Sequence, residues 1–241
     1  MVNFNENIPV QMSVVESLYQ RMREEILNGS HVPGAPLKQD DIASRLGVSK
    51  IPLREALSRL ESEGLVTLRP RRGYAVKEFN VEEIKEIFNL RAIIEEHGGR
   101  LSAEARTDEQ AELVLRIAQD MSELDPSLPD YYARWTELNG RFHGTIMEAS
   151  GRQHVIKMAK QMRDVLVPYV RLYSTMPEGA DRVDAEHRQI ATAFAARDAH
   201  LVGALSAAHC YHTRDNLVAS LQRALAAGDP TPNKGRRRAS A

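Results

Sequence analysis

The fold class this sequence predicts is mainly α, in two parts: an N-terminal winged helix-turn-helix followed by a C-terminal all-α helical bundle. Three observations carry that expectation. Residues 11–63 hold three runs of apolar residues at helical spacing, punctuated by glycine. Residues 65–76 read as two β runs around a short basic turn. From Val81 to residue 226 the three-four apolar spacing is almost unbroken, with no convincing strand. With 241 residues and 42% hydrophobic content, the chain can bury a real core.

The first helix is expected over 11–28, where Val14, Val15, Leu18, Met22, Ile26 and Leu27 recur at helical spacing and Asn28-Gly29 provides a stop. After the turn-rich stretch "GSHVPGAP", a second, short helix spans 39–46, broken at Gly47, where a left-handed residue is cheapest. A third runs from about 50 to 63. Pro52 sits inside that helical pattern, yet it falls in the first turn, where backbone N–H groups have no intrahelical acceptor, and Ser49 is placed to cap through its hydroxyl. Pro52 therefore marks a start. Leu53, Leu57 and Leu60 share an inward face, while Lys50 and Arg54, four apart, are neighbours on another face at the N-terminal end. Gly64 closes the helix, and "LVTLRPRRGYAV" predicts strand, tight turn at Pro70–Gly73, and strand. Helix, helix, glycine turn, helix and hairpin is the order of a winged helix-turn-helix. In that arrangement the third helix offers its N-terminal residues to the major groove, and the hairpin tip, here Arg71 and Arg72, meets phosphates or the neighbouring groove.

Further helices are expected at 81–105, 108–123, 129–149, 152–173, 179–197 and 199–226. Residues 78–80 form a candidate join, with Asn80 able to cap the next helix. This divides the chain into a winged helix-turn-helix domain, the candidate DNA-binding part, at 1–78, an all-helical domain at 79–228, and a disordered basic tail at 229–241. Charge follows the division. The net charge is −1, but residues 47–77 carry seven Lys/Arg against three Asp/Glu, and residues 79–233 carry 17 against 23. A compact basic patch on an otherwise acidic chain suggests a polyanionic partner for that segment, although on charge alone a solvated face is an equal reading. The single cysteine, Cys210, forms no intramolecular disulfide, and no charged start leads into an apolar run, so a cytoplasmic protein is expected. No stretch approaches the roughly 20 apolar residues of a membrane span, and no membrane partner is expected.

In "PGAPLKQDDIASRLGVSKIPLREALSRLESEGLVTLRPRRGYAV", and in "EIFNLRAIIE", "LNGRFHGTIMEASG", "EHRQI" and "ARDAHLVGALSAAH", the sequence resembles bacterial GntR-family transcription regulators of the FadR type, which carry an all-helical FCD ligand domain. The resemblance runs from about residue 12 to 226. It implies that Arg54 on the recognition helix and Gly73 on the wing contact DNA. Lys50 stands where the family usually has arginine, and an ammonium, being a point charge, suits phosphate better than a bidentate grip on guanine. Many members have an arginine where this chain has Asp40, which leaves that position either a contact to a base donor or a structural role.

The resemblance also implies a metal site. Asn139 and His143, four apart on one helical face, join His187 in "EHRQI" and His209 in the last long helix. Three imidazoles and one oxygen suit a divalent ion, Zn²⁺ first, with Ni²⁺ and Mn²⁺ as alternatives, and leave coordination positions for water or an effector. Asn139 stands where many relatives have Asp. The family's effectors are typically organic or sugar acids, so Arg91 in "NLRAIIE" is a candidate clamp for a carboxylate; a helix-surface salt bridge with Glu95 is the equal alternative. His200 and His212 read as bystanders, and His31, His97 and His154 carry no signal.

The function expected is a ligand-responsive transcription regulator, a homodimer on a pseudo-palindromic duplex operator that senses a small carboxylate or sugar acid. Two alternatives are a regulator for which the ion itself is the signal, and a metal that is purely structural. A metal-dependent hydrolase is the third. Against it, the chain has no HExxH, no glycine-rich phosphate loop and no nucleophile elbow. Its one obvious general base, Glu186, adjoins His187, and adjacent helical residues point about 100° apart. The protein is therefore not expected to be an enzyme.

Overall fold

The computed structural model describes residues 13–128, 130–173 and 180–226. The chain divides into two compact units, Met1–Lys77 and Glu78–Ala241. The expected basic tail at 229–241 lies outside the described residues.

In the first unit, α1 (Val14–Leu27) begins where Ser13 accepts a hydrogen bond from the Glu16 N–H. Its inward residues Leu18, Met22 and Ile26 pack with Leu53, Leu57 and Leu60 of α3 (Lys50–Ser62), all buried. Between them, α2 (Gln39–Leu46) ends on Gly47 in the left-handed conformation. Ser49 is the N-cap of α3 but its hydroxyl makes no capping bond, a correction to the expected role; the Pro52 start stands. The hairpin is β2 (Val66–Arg69) against β3 (Gly73–Val76), paired antiparallel with Arg69 opposite Gly73. A two-residue strand, β1 (Pro36–Leu37), pairs with the other side of β3 and makes a three-stranded sheet of order β1-β3-β2. The sequence predicts turn here, since two residues carry no periodicity. It buries Leu37 under the sheet and fixes the approach to α2.

The second unit is helical throughout its described residues: α4 (Val81–Ala105), α5 (Asp108–Ser122), α6 (Tyr131–Ala149), α7 (Gln153–Tyr173), α8 (Ala180–Ala195) and α9 (Ala199–Ala226). Asn80 caps α4, and Glu83 returns the bond to the Asn80 N–H, a reciprocal capping box; Thr107 and Gln110 do the same for α5. Helix α4 is the axis of the bundle and packs against α6, α7 and α9, while α5 packs against α6 and α8. Helices α4 and α9 approach so closely at Gly203 that a Cβ there would stand 2.9 Å from the Glu96 carbonyl oxygen. The core is built from Ala103, Val114, Ile117, Met121, Phe142, Ile146, Ile190 and Phe194. Among the described residues no helix is long and apolar enough to cross a membrane.

Candidate metal centre and nucleic-acid interface

Three helices deliver one imidazole each to the interior of the second unit: His143 from α6, His187 from α8 and His209 from α9. All three are buried, and one ligating atom from each lies within 4.8 Å of the others. The Nε2 atoms of His143 and His187 are 3.4 Å apart. At that distance the two nitrogens can share a long N–H···N hydrogen bond, one ring donating and the other accepting, and the same separation suits two ligands of one ion. An ion with metal–nitrogen bonds of about 2.0–2.1 Å in tetrahedral geometry sets its ligand nitrogens roughly 3.3–3.4 Å apart. The ring of Phe142 packs edge-on to His187 at 4.9 Å between centroids, and Trp135 lies at 6.2 Å, giving the cluster an aromatic wall.

A carboxylate stands behind two of the imidazoles and hydrogen-bonds one of them. His209 Nδ1 bonds Glu186 Oε2 at 2.8 Å, which turns its other nitrogen free to ligate. His143 Nδ1 stands 3.5 Å from Glu95 Oε2, and Glu95 Oε1 accepts a 2.5 Å hydrogen bond from Arg91 Nε. The Arg91–Glu95 ion pair is thus formed, but in the core rather than on a helix surface, with both side chains at most 5% exposed. From sequence, Glu186 is the one candidate hydrolase base, expected to point away from the ion. It does turn away from the centre of the cluster, toward the backs of His209 and His212. His212, read as a bystander, bonds the same carboxylate at 2.7 Å.

Electrostatics favour ligation. Burial, then the charge of neighbouring His209 and Arg91, holds His143 and His187 well below the ordinary histidine range, so both rings are neutral and their lone pairs available. Burial opposes ionisation of Glu186, but its bonds from His209 and His212 outweigh that and keep its carboxyl below the ordinary value. Among the described residues of the second unit, three buried side-chain atoms make no hydrogen bond: Glu95 Oε2, His187 Nδ1 and Asn139 Oδ1. Asn139 is one turn before His143 in α6, on the same face. An orphaned buried amide oxygen one turn from His143, together with the three converging imidazoles, is a donor set that fits a divalent cation.

The first unit carries its polar chemistry outside. Lys50 and Arg54 are exposed at the N-terminal end of α3, and Lys50 Nζ pairs with Asp40 Oδ1 of α2. Of the two roles expected for Asp40, this exposed ion pair is the contact the described residues show. Arg71 and Arg72 are exposed at the tip of the hairpin, Arg71 at φ +64°. Gly73 has φ +76°, and a Cβ on it would meet Gln39 Nε2 at 3.2 Å, so the wing's base needs glycine for a backbone reason. The buried exception is Glu25. It takes two bonds from Arg45, at 2.8 and 2.7 Å, one from Arg21 at 2.9 Å, and sits 3.1 Å from His31 Nε2. These contacts, Arg45 first, bring its carboxyl down to about 2 and tie α1 to α2. His31 carried no signal in the sequence, because its partner lies six residues away across a turn.

Comparison with known proteins agrees with both halves. Residues 14–76 match the gntR family of bacterial regulatory proteins, and residues 86–212, more than half the chain, match the FCD domain. The chain is 28% identical over 176 residues to the HTH-type transcriptional regulator YdhC of Bacillus subtilis, covering 71% of this chain and 76% of that one. It is 27% identical over 186 residues to the HTH-type transcriptional repressor GlaR of Escherichia coli, covering 75% and 84%. In fold it resembles E. coli McbR/YncC, with TM-score 0.72 and 21% identity over 88% of this chain and 99% of that one. A transcriptional regulator GntR from Rhodococcus sp. RHA1 gives 0.71 and 18% identity over 85% and 97%.

Proposed function

This chain belongs to the gntR family of bacterial regulatory proteins and carries an FCD domain, and from that premise we propose that it is a homodimeric cytoplasmic regulator whose operator affinity is set by a small carboxylate or sugar acid sensed at a metal centre. The single observation that carries the sensing half is the convergence of His143, His187 and His209 on one buried point. Asn139 completes the ligand set, and Zn²⁺ is the first choice of ion, with Ni²⁺ and Mn²⁺ as alternatives. Such an ion, when bound, links α6, α8 and α9 and attracts an anionic oxygen ligand. Arg91 supplies fixed positive charge beside it; Glu95 holds the guanidinium through Nε, and the terminal N–H groups are assigned to the effector's carboxylate. Glu186 orients His209 through the bond at Nδ1, and Glu95 supplies negative charge behind His143. Relatives named as transcription regulators argue for regulation over turnover.

In the DNA-binding half, Arg54 takes a base edge and Lys50, Arg71 and Arg72 take phosphates, with Gly73 letting the wing approach closely. Support for the homodimer comes from the outward face of α4. Leu90 and Ile93 are 45% and 62% exposed there, on one stripe with exposed Glu86, His97 and Arg100. A two-fold pairing of antiparallel α4 helices centred on Ile93 would set Glu86 against Arg100 of the partner subunit, and the reverse.

The test is operator binding by the full-length protein, with metal, with metal plus each of a panel of organic and sugar acids, and after chelation. One acid that shifts the operator Kd at least fivefold, only when metal is present, is the expected result. If operator affinity follows metal alone and no acid adds to it, the ion is the signal. Absence of salt-sensitive, sequence-selective binding under every condition would remove the regulatory reading altogether.

A further inference from the structure

On α3 the buried and exposed residues divide cleanly. Leu53, Ala56, Leu57 and Leu60 are buried, and on the opposite side lie Ile51, Arg54, Glu55 and Ser58, all exposed and related by spacings of three, four and seven. Three of those four are polar, as a solvated helix face requires. The fourth, Ile51, is 71% exposed, the highest value among the large hydrophobic residues described. An aliphatic side chain left in water contributes little of the burial that stabilises a fold, and isoleucine is no better than middling as a helix former. A lone apolar residue on a surface is ordinary. What singles out Ile51 is its place, as the second residue of the helix, between Lys50 and Arg54, pointing directly away from the core.

In the major groove thymine alone presents a methyl group, and apolar side chains are what contact it; serine, asparagine or arginine at the same place would read hydrogen-bonding edges instead. Isoleucine can make no such bond. We infer that Ile51 reads the C5-methyl of a thymine, which makes that thymine a fixed position in each half of the operator. The flanking cations hold the helix in the groove while Ile51 and the methyl exclude water from each other. This assignment rests on the DNA-binding reading of α3 and goes beyond it to one base and one atom.

The experiment removes that atom. Operator sequences are selected by full-length protein from random duplex DNA, and each thymine of the consensus is then replaced by uracil, which lacks only the methyl. Dissociation constants are measured for wild type and for Ile51→Ala. One thymine per half-site should lose about three- to fivefold in wild-type affinity on replacement, the cost of one exposed methyl. The same replacement should be neutral for Ile51→Ala, whose melting temperature stays at the wild-type value because the residue is exposed. Uracil replacements that are all neutral for wild type, a loss that persists undiminished in Ile51→Ala, or a consensus with no fixed thymine would each overturn the assignment while leaving DNA binding intact. Failure to select any sequence would instead fell the DNA-binding reading beneath it.

Discussion

The two units treat polar side chains in opposite ways. The winged unit keeps its core apolar and leaves Lys50, Arg54, Arg71 and Arg72 in water, with Glu25 as its buried ion hub. The helical unit places Arg91, Glu95, His143, His187 and His209 inside, where apolar residues would pack better. Exposed cations ask almost nothing of a fold and can be spent on a large external polyanion. Buried polar groups are costly unless each finds a partner, and they serve a ligand small enough to come inside. The difference separates a surface suited to a macromolecular polyanion from an interior whose donor set would suit an ion or a small acid, as the proposed function requires.

The sharpest way to break that comparison is to cut one ion pair in each unit. Arg91→Met leaves Glu95 buried without its counter-charge and should destabilise the helical unit by about 3–5 kcal/mol, a fall of roughly 10 °C in its melting temperature. Asp40→Ala removes the exposed partner of Lys50 and should cost less than about 1 kcal/mol. Calorimetry showing equal shifts for the two variants would remove the distinction. Metal withdrawal comes next: at free ion a thousandfold above Kd, binding adds about 4 kcal/mol, so chelation should lower the melting transition of the helical unit and leave that of the winged unit in place.

Glu25 sharpens the comparison from the other side. Its carboxyl is depressed to about 2 from an ordinary 4.5, so its contribution is fully present above about pH 4.5 and is lost as pH falls through about 2. That depression is equivalent to about 3–4 kcal/mol, and solvent screening of the half-exposed Arg21 and Arg45 reduces the contribution to about 2–3 kcal/mol. Glu25→Gln should cost that much at pH 7 in urea unfolding, and the gap from wild type should close toward pH 2; a gap that stays constant with pH would assign the effect to packing. The smaller effects concern affinity. Arg54→Ala should weaken operator binding about tenfold or more at unchanged melting temperature. Arg71→Ala should weaken it for all sequences alike and reduce the salt slope by about one.

Helices with strong periodicity were legible almost to the residue. The Pro52 start and the Asn80 cap were readable because proline and asparagine have few structural uses at such places. The strand at Pro36–Leu37 was not, because its partner, β3, lies nearly forty residues on and two residues have no pattern. The same limit governs the metal centre. Residue type and resemblance identified three histidines, but the groups behind them, Glu95 under His143 and Glu186 between His209 and His212, follow from helix packing that no local spacing encodes. Glu95 did leave a trace, since it shares the inward face of α4 with Phe88 and Ala92, an odd place for a carboxylate. The missing hydroxyl bond at Ser49 has the same lesson in small: position fixed the cap residue, and the side-chain rotamer was decided elsewhere.

Elemental analysis of the full-length protein, purified without chelator, beside His143→Ala and His187→Ala, bears most directly on the claim that the interior of the helical unit is built around an ion. The expected result is close to one equivalent of a divalent transition metal per chain in the wild type and almost none in either variant. A wild type without metal that neither takes up Zn²⁺ nor gains thermal stability from it, or a metal content that both substitutions leave unchanged, would contradict the account.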